Sequence, residues 1–201
     1  GISTQMAARQ LRYAWFERVR RQEKFAKILT AHHLSDSLET ALINFIRGSG
    51  VRGLRGIKAT SGRIVRPLLT TTRDEIEAYA DQKGLKWRED ESNQQDVYTR
   101  NYIRRHIIPE MKKLNPALEN SFDITSRRLR DTDLLVMERA ERIMRDHASR
   151  QGRDWFISRR GLVPRNLAVA EEIFRPFGLN VFQVRDLLSH IPAGTGPQLY
   201  L

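Results

Sequence analysis

The chain has 201 residues, 40% of them apolar and none of them cysteine, so it holds one large or two small cored domains and no disulfide scaffold, thiolate chemistry or cysteine-based zinc site. Lys and Arg number 35 against 24 Asp and Glu, and the net charge of +11 points to a polyanionic partner, nucleic acid before a membrane surface. No apolar run approaches the ~18–20 residues of a membrane span and no secretory signal opens the chain, so a soluble cytoplasmic protein with no membrane partner is the expectation.

Ser3 is placed to cap a helix over residues 4–24, whose Ala7, Leu11, Trp15 and Val19 recur at helical spacing between arginines. Residues 25–31 are short and apolar and read as a strand. A helix over 37–47 follows, with Leu38, Leu42, Phe45 and Ile46 on one face, and Gly48 stops it. Residues 64–69 read as a second strand, with Pro67 placing its end near an edge. Thr72 and Glu75 form a capping box, Gly84 a C-cap, and the helix between them runs over 73–83. A short strand over 85–88, a polar loop over 89–99 and a basic helix over 100–113, interrupted at Pro109, come next. Asn115 and Pro116 open another helix; Phe122, Leu129, Val136 and Ile143 carry it to about residue 150, a length of roughly 50 Å. Residues 155–157 read as a strand or a buried plug, and 167–177 and 181–191 as two helices split by Gly178, ahead of a loop.

The densest polar cluster is A-H-H-L-S-D-S-L-E-T over 31–40, at the junction of a strand and a helix. Backbone N–H groups and the positive helix end converge at such a junction, which suits phosphate. His32 and His33 could contact phosphate oxygens, and Asp36 could hold Mg²⁺ or accept a proton. The structural alternative is a capping box with Asp36 as the cap and Glu39 three residues on. A zinc site on His32, His33 and Asp36 lacks a distant ligand. Arg47, Gly48 and Ser49 open a glycine-rich basic stretch that either wraps an anion or merely ends the helix; it has neither standard phosphate-loop spacing. Arg100 and Arg104 share a helix face, as bidentate phosphate contacts or as a solvated surface. Arginines continue through the C-terminal half, where Trp155 and Phe156 either stack bases or fill a core.

The order of that cluster, then R-G-S-G-V-R-G-L, R-P-L-L, R-D-E-I-E-A-Y, W-R-E-D-E-S-N and Y-T-R-N-Y-I-R with Pro109 after it, resembles the tRNA(Ile)-lysidine synthases, a family of N-type ATP pyrophosphatases. The leading A-A-R-Q-L-R-Y fits the same family. The resemblance implies an α/β fold: part of a Rossmann-like parallel sheet over residues 1–112, then over 113–201 a long linker helix and a small, mainly helical domain that recognises substrate. It implies ATP-dependent ligation of free lysine to C2 of the wobble cytidine in the anticodon loop of an isoleucine tRNA, by way of an adenylated base, with Mg²⁺ as cofactor. Catalysis would fall to His33, Asp36 and Arg100, the metal to Asp36, and ATP to His32, His33, Arg47, Gly48 and Ser49. The tRNA and lysine would fall to Arg73, Glu89, Asp90, Arg100, Asn101 and Arg104. A homodimer is a further expectation.

Two departures accompany the likeness. The family's cluster reads H-H-x-D-D, whereas Ser35 stands at the first of those aspartates and leaves the charge to Asp36. Its phosphate loop, S-G-G-x-D-S, is expected upstream of Gly1, and the chain as it stands is expected to be inactive without it. The competing readings are a non-catalytic RNA-binding module of the same fold and a tRNA-thiolating relative; the absence of cysteine counts against the latter.

Overall fold

The computed structural model describes residues 4–87, 99–162, 166–190 and 199–200. The expected lysine partners Glu89 and Asp90 lie outside the described residues, as does most of the expected 89–99 loop. The chain forms two compact units: Gly1–Ser49 with Gly53–Ser126, and Gly50–Arg52 with Arg127–Leu201.

In the first unit, helix α1 (Thr4–Gln22) ends on Lys24, whose φ of 55° lets Phe25 N–H reach back to the Arg20 carbonyl at 2.9 Å. Strand β1 (Ile28–Leu29) is shorter than the expected 25–31: among the described residues it pairs with one neighbour, over two positions, and Phe25 and Leu29 stay exposed. It runs parallel to β3 (Ile64–Val65), with Ile28 opposite Ile64. Strand β2 (Thr60–Ser61) returns antiparallel to β3 through a turn at Gly62, giving the order β1-β3-β2. The expected parallel sheet is therefore corrected to a small mixed one: one parallel pair plus a hairpin that the spacing of apolar residues does not disclose.

Helix α2 (Leu34–Ile46) begins three residues before the expected 37, because His33 caps it. A single helical turn, α3 (Val51–Leu54), lies inside the expected glycine-rich turn. Helix α4 (Arg73–Gln82) has the anticipated capping box: Thr72 N–H donates to Glu75 at 2.7 Å and Glu75 N–H to Thr72 Oγ1 at 3.2 Å. Residues 85–87 form no strand, and Leu85 and Trp87 are exposed.

The basic segment passes through Pro109 without a break. Helix α5 (Thr99–Tyr102) leads into a π-helical turn (Ile103–Ile107) and then into α6 (Ile108–Leu114), whose first turn contains Pro109, where a missing N–H costs little. The Ile108 N–H bonds to the Ile103 carbonyl, five residues back. That bond brings Ile103 and Ile108 over one another, and both join Leu38 in the core of this unit. In a regular α-helix they would diverge by about 140°.

Helix α7 (Leu118–His147) spans 30 residues, its first turns in the first unit and the rest in the second. It stops short of residue 150, because the chain turns into β4 (Ala148–Gln151), hairpins at Gly152 and returns as β5 (Asp154–Ile157). Strand β6 (Leu199–Tyr200) pairs antiparallel with β5. Helices α8 (Leu167–Phe174) and α9 (Val181–His190) complete this unit. Its core holds Ile143, Ile157, Leu162, Ile173, Phe174 and Val184, and Trp155 meets Phe177 edge-on at 6.1 Å, packing rather than standing free. Among the described residues no helix is long and apolar enough to cross a membrane.

Candidate functional site at the start of α2

Strand β1 delivers the chain to its carboxyl end, and the His-His cluster follows at once. Leu34 N–H anchors the turn to the Thr71 carbonyl at 2.8 Å. His33 Nδ1 accepts the Asp36 N–H at 3.4 Å, Asp36 Oδ2 accepts the His33 N–H at 3.1 Å, and His33 Nε2 lies 3.4 Å from the same oxygen. A capping box is thus present, but with His33 as the cap and Asp36 at the third position, not with Asp36 and Glu39 as the spacing suggests. Histidine is not a favoured cap, which is why the residue types alone place the box one turn late.

Glu39 is freed from capping and faces inward, 1% exposed. Arg104 clasps it with Nε at 2.5 Å and Nη2 at 3.0 Å, and Arg100 Nε stands 3.8 Å from it. The same Arg104 reaches Asp36 Oδ1 at 3.5 Å, and Arg100 Nη2 donates to Thr40 Oγ1 at 2.9 Å. The carboxylate hydrogen bond raises the Arg104 pKa above its ordinary value. Removing one partner of such a buried pair typically costs about 3–5 kcal/mol.

Two cavities flank this turn within the first unit. One, of about 380 Å³, is lined by Arg9, Arg12, His32, Asp36 and Arg100 beside apolar groups of α1 and β1. The other, of about 460 Å³, is lined by His33, Glu39, Arg73 and Arg104, among others. His32 is tied through Nδ1 to Thr30 Oγ1 at 3.0 Å, and burial pushes its pKa below 6.5. Asn101 is buried. Arg73 opens α4 and pairs with Glu77 at 2.5 Å.

The structure does not bring every candidate together. Arg47, Gly48 and Ser49 sit at the opposite end of α2, roughly 20 Å along its axis, where Arg47, Gly48 and Ser49 N–H groups bond to the carbonyls of the helix's last turns. It also adds residues that the motifs do not single out. Arg9 and Arg12 enter the first cavity from α1, although the helical pattern shows them only as surface charge. Arg66, of the R-P-L-L stretch, is 8% exposed and donates to the Lys58 carbonyl at 2.7 Å, while its buried Nε meets no partner among the described residues. Glu119, 84 positions from Ser35, accepts its hydroxyl, a contact no local pattern announces.

A family model described as a PP-loop domain matches residues 1–111, more than half of the chain. The chain belongs to the PP-loop family. Over 98% of its length this PP-loop chain is 38% identical to a tRNA(Ile)-lysidine synthase of Bacteroides thetaiotaomicron, covering 46% of that protein. Over 99% it is 34% identical to one from Porphyromonas gingivalis, covering 44%, and 33% identical to one from Geobacillus kaustophilus, covering 42%. It therefore spans under half the length of these curated relatives. Among solved structures, the U34-tRNA thiolase NcsA from Methanococcus maripaludis, with its [4Fe-4S] cluster, superposes with a TM-score of 0.51. That match covers 64% of this chain and 44% of the thiolase at 20% identity, a likeness of fold.

Proposed function

We propose that the protein to which these residues belong joins lysine to C2 of the wobble cytidine of an isoleucine tRNA at the expense of ATP. In this reading residues 1–112 carry the nucleotide chemistry and 113–201 the tRNA recognition. The observation that carries it is the position of the α2 N-terminal turn between two charged cavities, with His32 and Asp36 lining one and His33 and Glu39 the other. The likeness to lysidine synthases along nearly the whole chain supports it.

The first cavity suits the nucleotide: Arg9, Arg12 and Arg100 offset the triphosphate charge, and His32, held neutral by burial, offers a ring nitrogen. The second carries both signs, as an amino-acid zwitterion requires, with Arg73 toward its carboxylate and the exposed Asp74 toward its α-ammonium. The C2 oxygen of cytidine attacks the α-phosphorus, the bond to pyrophosphate breaks, and an adenylated base results. Asp36, on the wall of the first cavity, takes a proton from the lysine ammonium; the free amine forms the C2–N bond, and AMP leaves with the C2 oxygen. Arg104 Nη2, 3.5 Å from Asp36 Oδ1, orients that carboxylate for the role.

Mg²⁺ is compatible with this donor set. Among the described residues no three acidic or imidazole groups cluster for a metal, but Mg²⁺ on a nucleotide needs only one or two protein carboxylates beside phosphate and water. Asp36 Oδ1 would contribute that oxygen, and the ion would neutralise charge on the phosphates.

The deciding experiment is Asp36→Asn in the full-length native protein. Asparagine still accepts the His33 N–H, so the capping box survives and Tm moves by only a few degrees, while lysine- and tRNA-dependent pyrophosphate release falls by ~100-fold or more. A variant retaining over half the wild-type rate takes the chemistry away from Asp36. A wild-type protein that binds tRNA yet releases no pyrophosphate would be the RNA-binding module instead.

A further inference from the structure

Three helices begin around one buried carboxylate. Ser35 lies in the first turn of α2, Arg73 opens α4, and Glu119 lies in the first turn of α7. The Ser35 hydroxyl accepts the Arg73 N–H at 3.3 Å and donates to Glu119 Oε1 at 2.5 Å. Lys112 Nζ holds the other oxygen, Oε2, at 2.9 Å, and that contact raises the lysine pKa above its ordinary value. Ser35 and Glu119 are 9% and 8% exposed. Three helix N-terminal turns and an ammonium thus converge on one carboxylate. Ser35 is the residue before Asp36, so whatever holds the serine hydroxyl holds the turn on which Asp36 stands.

We propose that Glu119 is a positioning residue for the site: through the Ser35 hydroxyl it fixes the first turn of α2 and so sets where the Asp36 carboxylate stands. The inference rests on the ligase reading for its kinetic readout alone. It carries a condition on position 35. The residue there must donate a hydrogen to Glu119, and a carboxylate in its place would set two negative charges at hydrogen-bond distance in a buried spot. Ser35 and Glu119 are a matched pair.

The test uses the full-length native protein as wild type, Ser35→Asp, Glu119→Leu and the double variant Ser35→Asp with Glu119→Gln. The amide of the double variant can donate to the new carboxylate and restores the bond with its direction reversed. Ser35→Asp and Glu119→Leu each lower kcat by about tenfold or more, since a displacement near 1 Å has effects of that order or larger. The double variant returns to within about threefold of wild type, with the tRNA KM unmoved throughout. In parallel, the His33 ring resonances followed by NMR shift in each single variant and return in the double. Wild-type kcat in Ser35→Asp, or a double variant that fails to recover either readout or fails to fold, overturns the proposal. Absence of lysine-dependent turnover in the wild type defeats the ligase reading instead, and the return or non-return of the His33 resonances still decides this one.

Discussion

His32 is half-buried at the end of β1, where removal from water and then the charges of Arg66, Arg9 and Arg100 lower its pKa from 6.5, against a partial opposing pull from Asp36. Between its lowered value and 6.5 the unfolded chain binds more protons than the folded one, so stability rises with pH in that window. The contribution is complete above about pH 6.5 and is lost as acid takes the pH down through the folded value. Replacing His32 by Gln is therefore expected to flatten the fall in Tm between pH 7 and pH 5, measured by thermal unfolding in buffers of matched ionic strength. An identical slope in both proteins would remove His32 from the account. At this scale the sequence discloses the chemistry of the cluster and not its wiring. His33 and Asp36 are visible as candidates, but the inward turn of Glu39 depends on Arg104, 65 positions away, and the fixing of Ser35 on Glu119, 84 away. Contacts at such separations follow from the tertiary path of the chain and leave no trace in local spacing.

Elements with their own local stops are legible, as α4 shows with its capping box and its glycine at φ 63°. Strands are not: β1 and β3 hold two residues each, too few for a period, and only the pairing between them defines them. The connection from α3 to β2 turns on Gly56, at φ 75°, where a side chain would collide with the Ser37 hydroxyl and approach its carbonyl at 3.0 Å. That hydroxyl accepts the Ile57 N–H at 2.9 Å, so strain and steric conflict would fall on a bond that secures the connection to α2. Gly56→Ala is expected to cost about 2 kcal/mol or more, read from the urea midpoint, whereas Gly62→Ala, strained in φ but with open space around it, costs less. Equal losses at the two positions would show that backbone strain alone decides.

Across the molecule the net charge of +11 sets the terms of association with a polyanion. If about 6–10 phosphates are neutralised, tRNA affinity is expected to fall by roughly 10³–10⁵ between 50 and 200 mM salt. Binding followed by filter retention or fluorescence across that range checks it, and an affinity flat in salt would assign recognition to base contacts. The order of motifs along residues 31–109 makes the family legible in the amino-acid sequence alone, since order survives where individual contacts do not. The mixed character of the first sheet and the antiparallel strands of the second unit stay hidden, because a hairpin of two-residue strands and a pairing between β5 and the distant β6 carry no periodic signal.

The π-helical turn at Ile103–Ile107 makes this stretch a matter of counting. One residue more than an α-helix would need lies between the part that presents Arg100 and the part that presents Lys112. Conservative replacement within it leaves that count intact. Wound as a regular α-helix with the same residues, the segment would turn everything after it by about 100°. Ile108 would leave the core beside Leu38, and Lys112 would swing away from Glu119. Removal of one residue from the turn would instead give an unbroken α-helix with Arg100 and Lys112 on the faces they now occupy.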